Sequence, residues 1–426
     1  MKIIHISRSF SYEVTGGTEI FVDSLAQAQS LSHDVLWVVH TINKEIPKNF
    51  TGFRNCYPLK PISAEGRLNK ITTHVDNLDE FKQLLLSYQP DILHLHSLCD
   101  SCGLSHINIS KSLGITVVVT IHAPGFTCMQ GSLIYHKKEI CDGVITEGRC
   151  TECRLVNGRL PYPIALLASA YDWPWLSTEA KGKVAHILTA RQITAAFHRT
   201  WQEMVEKVDI FHVLCDWSRE VLVRNGVADS KLHLIRTAGP TSLPPKQRQP
   251  MEDGILKCVF WGRFAAVKGL HLIIRAVQSL PKQIPIEISF YGPYQDDDYG
   301  QRIQKMIKGD GRFKLCGNFP KDELLPKLQN YDLALIPSTW LETGPLTVLE
   351  AFAAGLPVAG SDLGGIKELL TDKAGGYLLP IDWKAWASFF RNIIEQRLSL
   401  TPLSIEFRSF SKIANEIDVI YKMNKT

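Results

Sequence analysis

Short apolar runs rich in Val and Ile recur along the chain, alternating with longer stretches whose apolar positions repeat every three to four residues. The runs predict buried strands and the longer stretches predict helices, so their alternation predicts parallel α/β units. In the first half the predicted strands are Ile3–Ser7, Val35–His40, Asp91–His96, Val117–His122 and Ile210–Leu214. One long amphipathic helix is predicted between Ala180 and Val208. Residues 239–250 then break every period, with Pro240, Pro244, Pro245 and Pro250. That stretch reads as a linker.

A second set of strands follows at Lys257–Trp261, Ile286–Tyr291, Phe313–Cys316, Leu333–Pro337 and Pro357–Gly360. The expected architecture is two Rossmann-like, doubly wound domains, residues 1–240 and 254–405, joined by a linker at 241–253. Sites in such sheets lie beyond the carboxyl ends of the strands. A ligand is therefore expected in the cleft between the domains.

Composition narrows the function classes. The 426 residues are 45% hydrophobic and 21% charged, the profile of an ordinary globular protein. A net charge of +4 is too mild to argue for nucleic acid. Lys44, Lys48, Arg54, Lys60, Arg67 and Lys70 make one segment locally basic, which reads as a solvated loop before it reads as a membrane-facing one. Met1–Ser7 reads as a strand rather than a leader, and no stretch reaches the roughly 18 apolar residues of a membrane span. The chain is expected to be cytoplasmic, with its ten cysteines mostly reduced.

The chemistry concentrates in the second half. Glu342 and Glu350 flank a Gly344-Pro345 turn where a strand hands over to an apolar helix. Two carboxylates so placed suit a polyhydroxylated ligand, because charged acceptors make the stronger hydrogen bonds. Gly262-Arg263 follows a strand end, and Lys268-Gly269 stands where the next helix begins. Two cations plus helix N-terminal amides make a receptor for a diphosphate.

In the first half, Gly16-Gly17 opens a helix and lets backbone approach a ligand, but it is no GxGxxG fingerprint. Gly364-Gly365 repeats the design later. His122 ends a buried strand, where it could donate to a substrate hydroxyl or phosphate, and His96 is a second candidate.

Three features read more plainly. Asp296, Asp297 and Asp298 read as a helix start rather than a metal-holding DxD pair. Cys128, Cys141, Cys150 and Cys153 could ligate a structural zinc, whereas Cys99 and Cys102 read as packing thiols. Residues 160–176 read as an internal helix with an aromatic cap, ahead of a membrane-touching or acceptor-shaping insertion.

Taken together, Gly16-Gly17, His122, Gly262-Arg263 with Lys268-Gly269, and Glu342 with Glu350 resemble the pattern of the family 4 glycosyltransferases over residues 1 to about 380. The resemblance implies the GT-B fold, with a final helix at about 406–426 packing back on the first domain. It implies retaining transfer of a sugar from a UDP- or GDP-linked donor to a glycan or lipid-linked acceptor, with no catalytic metal. Surface polysaccharide or glycolipid synthesis, at the inner face of the plasma membrane, is the implied setting.

By the same resemblance Arg263 and Lys268 would bind the donor diphosphate, and Glu350 the ribose. Glu342 would hold hydroxyls of the transferred sugar with His122 nearby. Gly16, Gly17, Gly262, Leu346 and Thr347 would complete the donor site. One departure is Gly344-Pro345, where many members carry Phe-Gly; Pro345 has no N–H to donate. A nucleotide-sugar epimerase and a non-catalytic sugar- or partner-binding protein are the rival readings.

Overall fold

Strands buried on both faces need continuous apolar or internally satisfied side chains, and both sheets of the protein meet that requirement. The computed structural model describes residues 1–7, 16–40, 52–59, 66–72, 77–96, 102–244, 251–292, 298–319, 323–401 and 408–423. The chain divides into two compact units, Met1–Thr237 together with Phe410–Thr426, and Ala238–Ser409.

The first unit holds β1 (Lys2–Ile6), β2 (Asp34–His40), β3 (Cys56–Leu59), β4 (Ile92–Leu95) and β5 (Thr116–Ile121). A small hairpin follows, β6 (Ile134–Tyr135) with β7 (Glu139–Ile140), and then β8 (Ile210–Val213) and β9 (Leu232–Leu234). Seven of these form one parallel sheet in the order β3-β2-β1-β4-β5-β8-β9. Side chains alternate faces along a strand. One face carries Ile4, Ile6, Leu93, Leu95, Val117, Val119, Phe211 and Val213, which form the main core with Phe81, Ile107, Trp201 and Met204. The other face carries histidines: His5 pairs with His94 in register, and Thr120 with His212.

The predicted helix over 180–208 divides into Lys183–Leu188 and Ala190–Lys207. Thr189 makes the break, because its φ and ψ of −89° and 1° leave the helical region. The last helix, Phe410–Met423, belongs to the first unit and packs on the helix Gly17–Gln29. Its Ile413, Ile417 and Tyr421 are fully buried, and each such side chain contributes about 1.5–3 kcal/mol.

The second unit holds β10 (Leu256–Trp261), β11 (Ile286–Tyr291), β12 (Phe313–Leu315), β13 (Leu333–Ile336), β14 (Val358–Ser361) and β15 (Gly376–Leu379). They form a parallel sheet in the order β12-β11-β10-β13-β14-β15. Strands β10, β13 and β14 are therefore neighbours, and the loops leaving their carboxyl ends converge.

Candidate active site

The loop after β10 is shaped by two glycines. Gly262 has φ +134°, and Gly269 has φ +75° at the start of the helix Leu270–Gln278. A Cβ on Gly269 would stand 1.8 Å from the Pro337 carbonyl oxygen, so only glycine fits against the end of β13. Thr339 then donates its N–H to the Val267 carbonyl at 2.7 Å, joining the two loops.

That junction brings Lys268 to Glu342. The ammonium lies 2.6 Å from Glu342 Oε1, which also accepts from Ser338 Oγ at 2.8 Å. Lys268 Nζ further sits 5.9 Å from the centre of the Trp340 ring. Burial pushes the Glu342 carboxyl up, but the Lys268 charge and hydrogen bond, aided by Ser338, bring it below its ordinary value. The Glu342 carbonyl accepts from Gly365 N at 2.7 Å, and a Cβ on Gly365 would crowd that same oxygen. Gly364-Gly365 thus supports the Glu342 loop from below.

Glu350 lies on the helix Leu346–Ala353, whose first residues Leu346 and Thr347 are partly exposed. Its Oε2 accepts from the Trp261 indole N–H at 2.6 Å. Burial raises the Glu350 carboxyl above its ordinary value, against the pull of the Trp261 bond. Arg263 is exposed, and its guanidinium makes no ion pair with the described residues. The second unit therefore brings Gly262, Lys268, Glu342, Glu350, Leu346 and Thr347 to one edge of its sheet, with Arg263 on the same loop. Trp261, Ser338 and Trp340 were not anticipated; their signal was position alone, at or just past strand ends.

In the first unit Gly16 caps the helix Gly17–Gln29, accepting from Ile20 N at 3.0 Å. The Glu19 carboxylate folds over this N-terminus, since a Cβ on Gly16 would meet its Oε2 at 2.0 Å. His122 follows β5 and rests edge-on against Phe21, with ring centres 5.0 Å apart. Its Nε2 lies 3.2 Å from His96 Nδ1. Burial first, and the His212 charge second, hold its pKa down to about 3. It is a neutral imidazole at physiological pH.

Cys128, Cys141, Cys150 and Cys153 stand near enough for their charges to act on one another, while among the described residues the group with ligand atoms within 4.8 Å of one another is His5, His94 and His96. Two of the sulfurs also have local partners. Cys150 Sγ accepts from Thr146 N at 3.4 Å and Cys153 Sγ from Asn157 Nδ2 at 3.7 Å, while burial pushes the Cys141, Cys150 and Cys153 thiols up. A structural zinc held by these four thiols stays a proposal.

Residues 162–170 do form a helix, and Tyr171, Trp173 and Trp175 stack edge to face behind it. The helix is not internal: Ile164, Leu166, Leu167, Tyr171 and Trp175 are exposed.

Other features resolve quietly or fall outside the description. Arg67 donates to the Thr178 carbonyl and Thr189 Oγ1. Cys102 is buried. Asp298 begins the helix Asp298–Ile307. Lys44, Lys48, Lys60, Cys99, Asp296 and Asp297 lie outside the described residues.

Comparison with known proteins decides the family. Residues 15–241 match the family described as Glycosyltransferase Family 4, and residues 256–396 match Glycosyl transferases group 1. The chain belongs to glycosyltransferase family 4.

Among the relatives of this family 4 chain, glycogen synthase of Mycobacterium tuberculosis is 28% identical over 247 residues, 55% of this chain and 58% of that protein. The amylovoran biosynthesis glycosyltransferase AmsK of Erwinia amylovora is 27% identical over 200 residues, 44% of this chain and 48% of that one. The chain thus spans about half the length of these two curated relatives.

Two solved structures carry the fold. The Anabaena Alr3699/HepE protein in complex with UDP aligns at a TM-score of 0.60 and 14% identity, covering 99% of this chain and 95% of that one. Sucrose-phosphate synthase from Thermosynechococcus elongatus aligns at 0.62 and 16%, covering 99% of both. The fold of the family 4 chain is GT-B, two parallel-sheet α/β units.

Proposed function

We propose that the protein transfers a sugar, with retention at the anomeric carbon, from a nucleotide-diphosphate sugar to an acceptor hydroxyl. The observation that carries this reading is the pairing of Lys268 with Glu342 and of Trp261 with Glu350 at the carboxyl edge of adjacent strands. In the reaction so read, negative charge grows on the departing diphosphate. Arg263 and Lys268 are the cations that stabilise it electrostatically, the term that usually dominates such catalysis.

Glu342 holds Lys268 in place before the donor binds and turns to the sugar hydroxyls once the diphosphate takes the ammonium. Glu350, steadied at one oxygen by Trp261, has the other for the ribose hydroxyls. Gly16, Gly17, Gly262, Leu346 and Thr347 supply close-approaching backbone. His122 is the first unit's candidate for meeting a substrate hydroxyl. Two such cations make a catalytic metal unnecessary, so EDTA should leave turnover intact.

The donor is read as a UDP-sugar first and a GDP-sugar second, supported by the UDP in the similar Anabaena structure. The acceptor is read as a glycan or lipid-linked glycan of surface polysaccharide synthesis, supported by the amylovoran relative. A peripheral membrane contact is part of the proposal. Large apolar side chains at Ile164, Leu166, Leu167, Tyr171, Trp175 and Val184 are exposed close to Arg159, Lys181 and Lys183 in sequence, a composition suited to an anionic bilayer surface. Among the described residues no helix is long and apolar enough to cross a membrane.

The deciding experiment incubates the protein with UDP- and GDP-sugars, with and without glycan acceptors, and follows the products by NMR. Acceptor-dependent transfer with the donor's anomeric configuration kept is expected. Epimerised donor without acceptor, or no nucleotide binding at all by calorimetry, overturns the reading.

A further inference from the structure

The first sheet buries four histidines that the proposed chemistry leaves unused, and they lead to a fifth, half-buried His122, at its end. His5, His94, His96 and His212 are all fully inaccessible, and neutral polar groups survive there only when hydrogen-bonded. Their partners form two chains, which meet where Gln29 also bonds the Tyr421 hydroxyl, and each chain ends on a group that can only accept. That fixes every proton in between, because a neutral imidazole donates from one nitrogen and accepts at the other.

The first chain starts on the last helix. Asp418 accepts from Gln29 Nε2 at 2.8 Å, and from His33 at its other oxygen. The amide orientation of Gln29 is thereby set, and its carbonyl faces His5 Nε2 at 2.8 Å. His5 must donate there, so its Nδ1 accepts from His96 Nε2 at 2.9 Å. His96 Nδ1 in turn accepts from His122 Nε2 at 3.2 Å.

The second chain runs the same way. The Ile235 carbonyl accepts from His212 Nε2 at 2.9 Å, and His212 Nδ1 accepts from Thr120 Oγ1 at 2.9 Å. Thr120 accepts from His94 Nε2, and His94 Nδ1 accepts from the Tyr421 hydroxyl, both at 2.6 Å. Burial pushes the Tyr421 phenol up, which keeps it a donor.

We infer that Asp418 and Gln29, acting through His5 and His96, are positioning residues that hold His122 as the Nε2–H tautomer, with Nδ1 as its accepting nitrogen. His122 then receives a hydrogen bond from a hydroxyl at Nδ1 and does not donate one to a phosphate from that atom. This reverses the donor role that its sequence position suggested. It also accounts for His5, His94 and His96 standing close enough to ligate a metal: all six of their ring nitrogens are engaged. Burial holds His5 down to about 4 and His94 and His96 well below their ordinary value, so the rings stay neutral as the ordering requires.

The assignment deepens the proposed function, resting on it only for what His122 then does to substrate. Its test therefore reads the tautomer directly. The full chain is labelled with ring-15N,13C histidine, and His122 is assigned by its loss in His122→Asn. At pH 7.5 an Nε2–H imidazole is expected for His122. Asp418→Asn replaces the accept-only group with an amide able to donate, so the whole chain can reverse. A mixture of Nε2–H and Nδ1–H forms is then expected at His122.

Gln29→Met cuts the chain without adding a donor and should give the same mixture; it serves if Asp418→Asn does not fold. Turnover should fall about tenfold in either variant at unchanged donor KM, and neither should lower it further in a His122→Asn background. An Nδ1–H or protonated His122 in the wild type, or an unchanged tautomer in both variants, overturns the inference. An Nε2–H ring in a protein that transfers no sugar supports the relay and overturns the transferase reading instead.

Discussion

Lys268 and Glu342 are 74 positions apart in sequence, yet the ammonium and carboxylate lie 2.6 Å apart with the carboxylate side chain only 11% exposed. Neither group can leave without stranding the other, because an unpaired buried charge costs more than the pair contributes. Their loops meet because Gly269 allows the Pro337 carbonyl to approach.

Lys268→Ala should therefore lower kcat by about 10²–10³ and also lower Tm. Adding Glu342→Gln should restore much of the Tm and none of the turnover. Thermal melts and steady-state rates on the single and double variants separate the two effects. Full activity in Lys268→Ala would end the assignment of this lysine to the diphosphate.

Glu350 carries a raised carboxyl pKa from burial. The folded state then binds the proton more tightly than the unfolded chain, so stability falls as pH rises from the ordinary 4.5 through the raised value. Glu350→Gln should raise Tm at pH 7 while weakening UDP binding, since a hydrogen bond to a charged group is worth about 1.5–3 kcal/mol. Calorimetry at pH 7 and a pH series of melts on both proteins check the two signs together.

Gly269→Ala places a methyl where the Pro337 carbonyl stands and forces a left-handed φ on alanine. A loss of more than about 3 kcal/mol is expected, measured by denaturant unfolding. Gly309→Ala, also at positive φ but with open space around it, is the control and should cost much less.

The buried histidines make the first unit acid-sensitive. His5, His94, His96 and His122 have pKa values below 6.5 when folded. Between those values and 6.5 the unfolded chain binds more protons, so stability rises with pH through that window and falls on acidification. Each histidine contributes a slope of about 1.4 kcal/mol per pH unit. Melts at pH 7 and pH 5 should differ steeply, and His5→Gln should flatten the difference.

Exposed Leu167 and Trp175 give the membrane proposal its handle. Sedimentation with vesicles containing anionic lipid should capture the protein, and Leu167→Ser with Trp175→Ser should release most of it without changing the melt. Equal capture by neutral and anionic vesicles would remove the role given to Arg159, Lys181 and Lys183.

The alternating strand and helix patterns were sufficient for the α/β class, because burial on both faces of a parallel sheet leaves Val- and Ile-rich runs and the crossovers between them carry a helical period. That Gly262, Lys268, Glu342 and Glu350 would come to one edge of the second sheet was legible too, since all four lie in the connections that leave the carboxyl ends of its strands.

What the sequence could not carry was any relation across the chain. That Lys268 neutralises Glu342, that Trp261 steadies Glu350, and that Asp418 reaches His122 through three side chains all depend on contacts between distant segments. The same holds for residues 162–175, where an apolar run reads alike whether it is covered or exposed. Periodicity records which face of an element is apolar; only tertiary packing decides what that face, or a polar group upon it, meets.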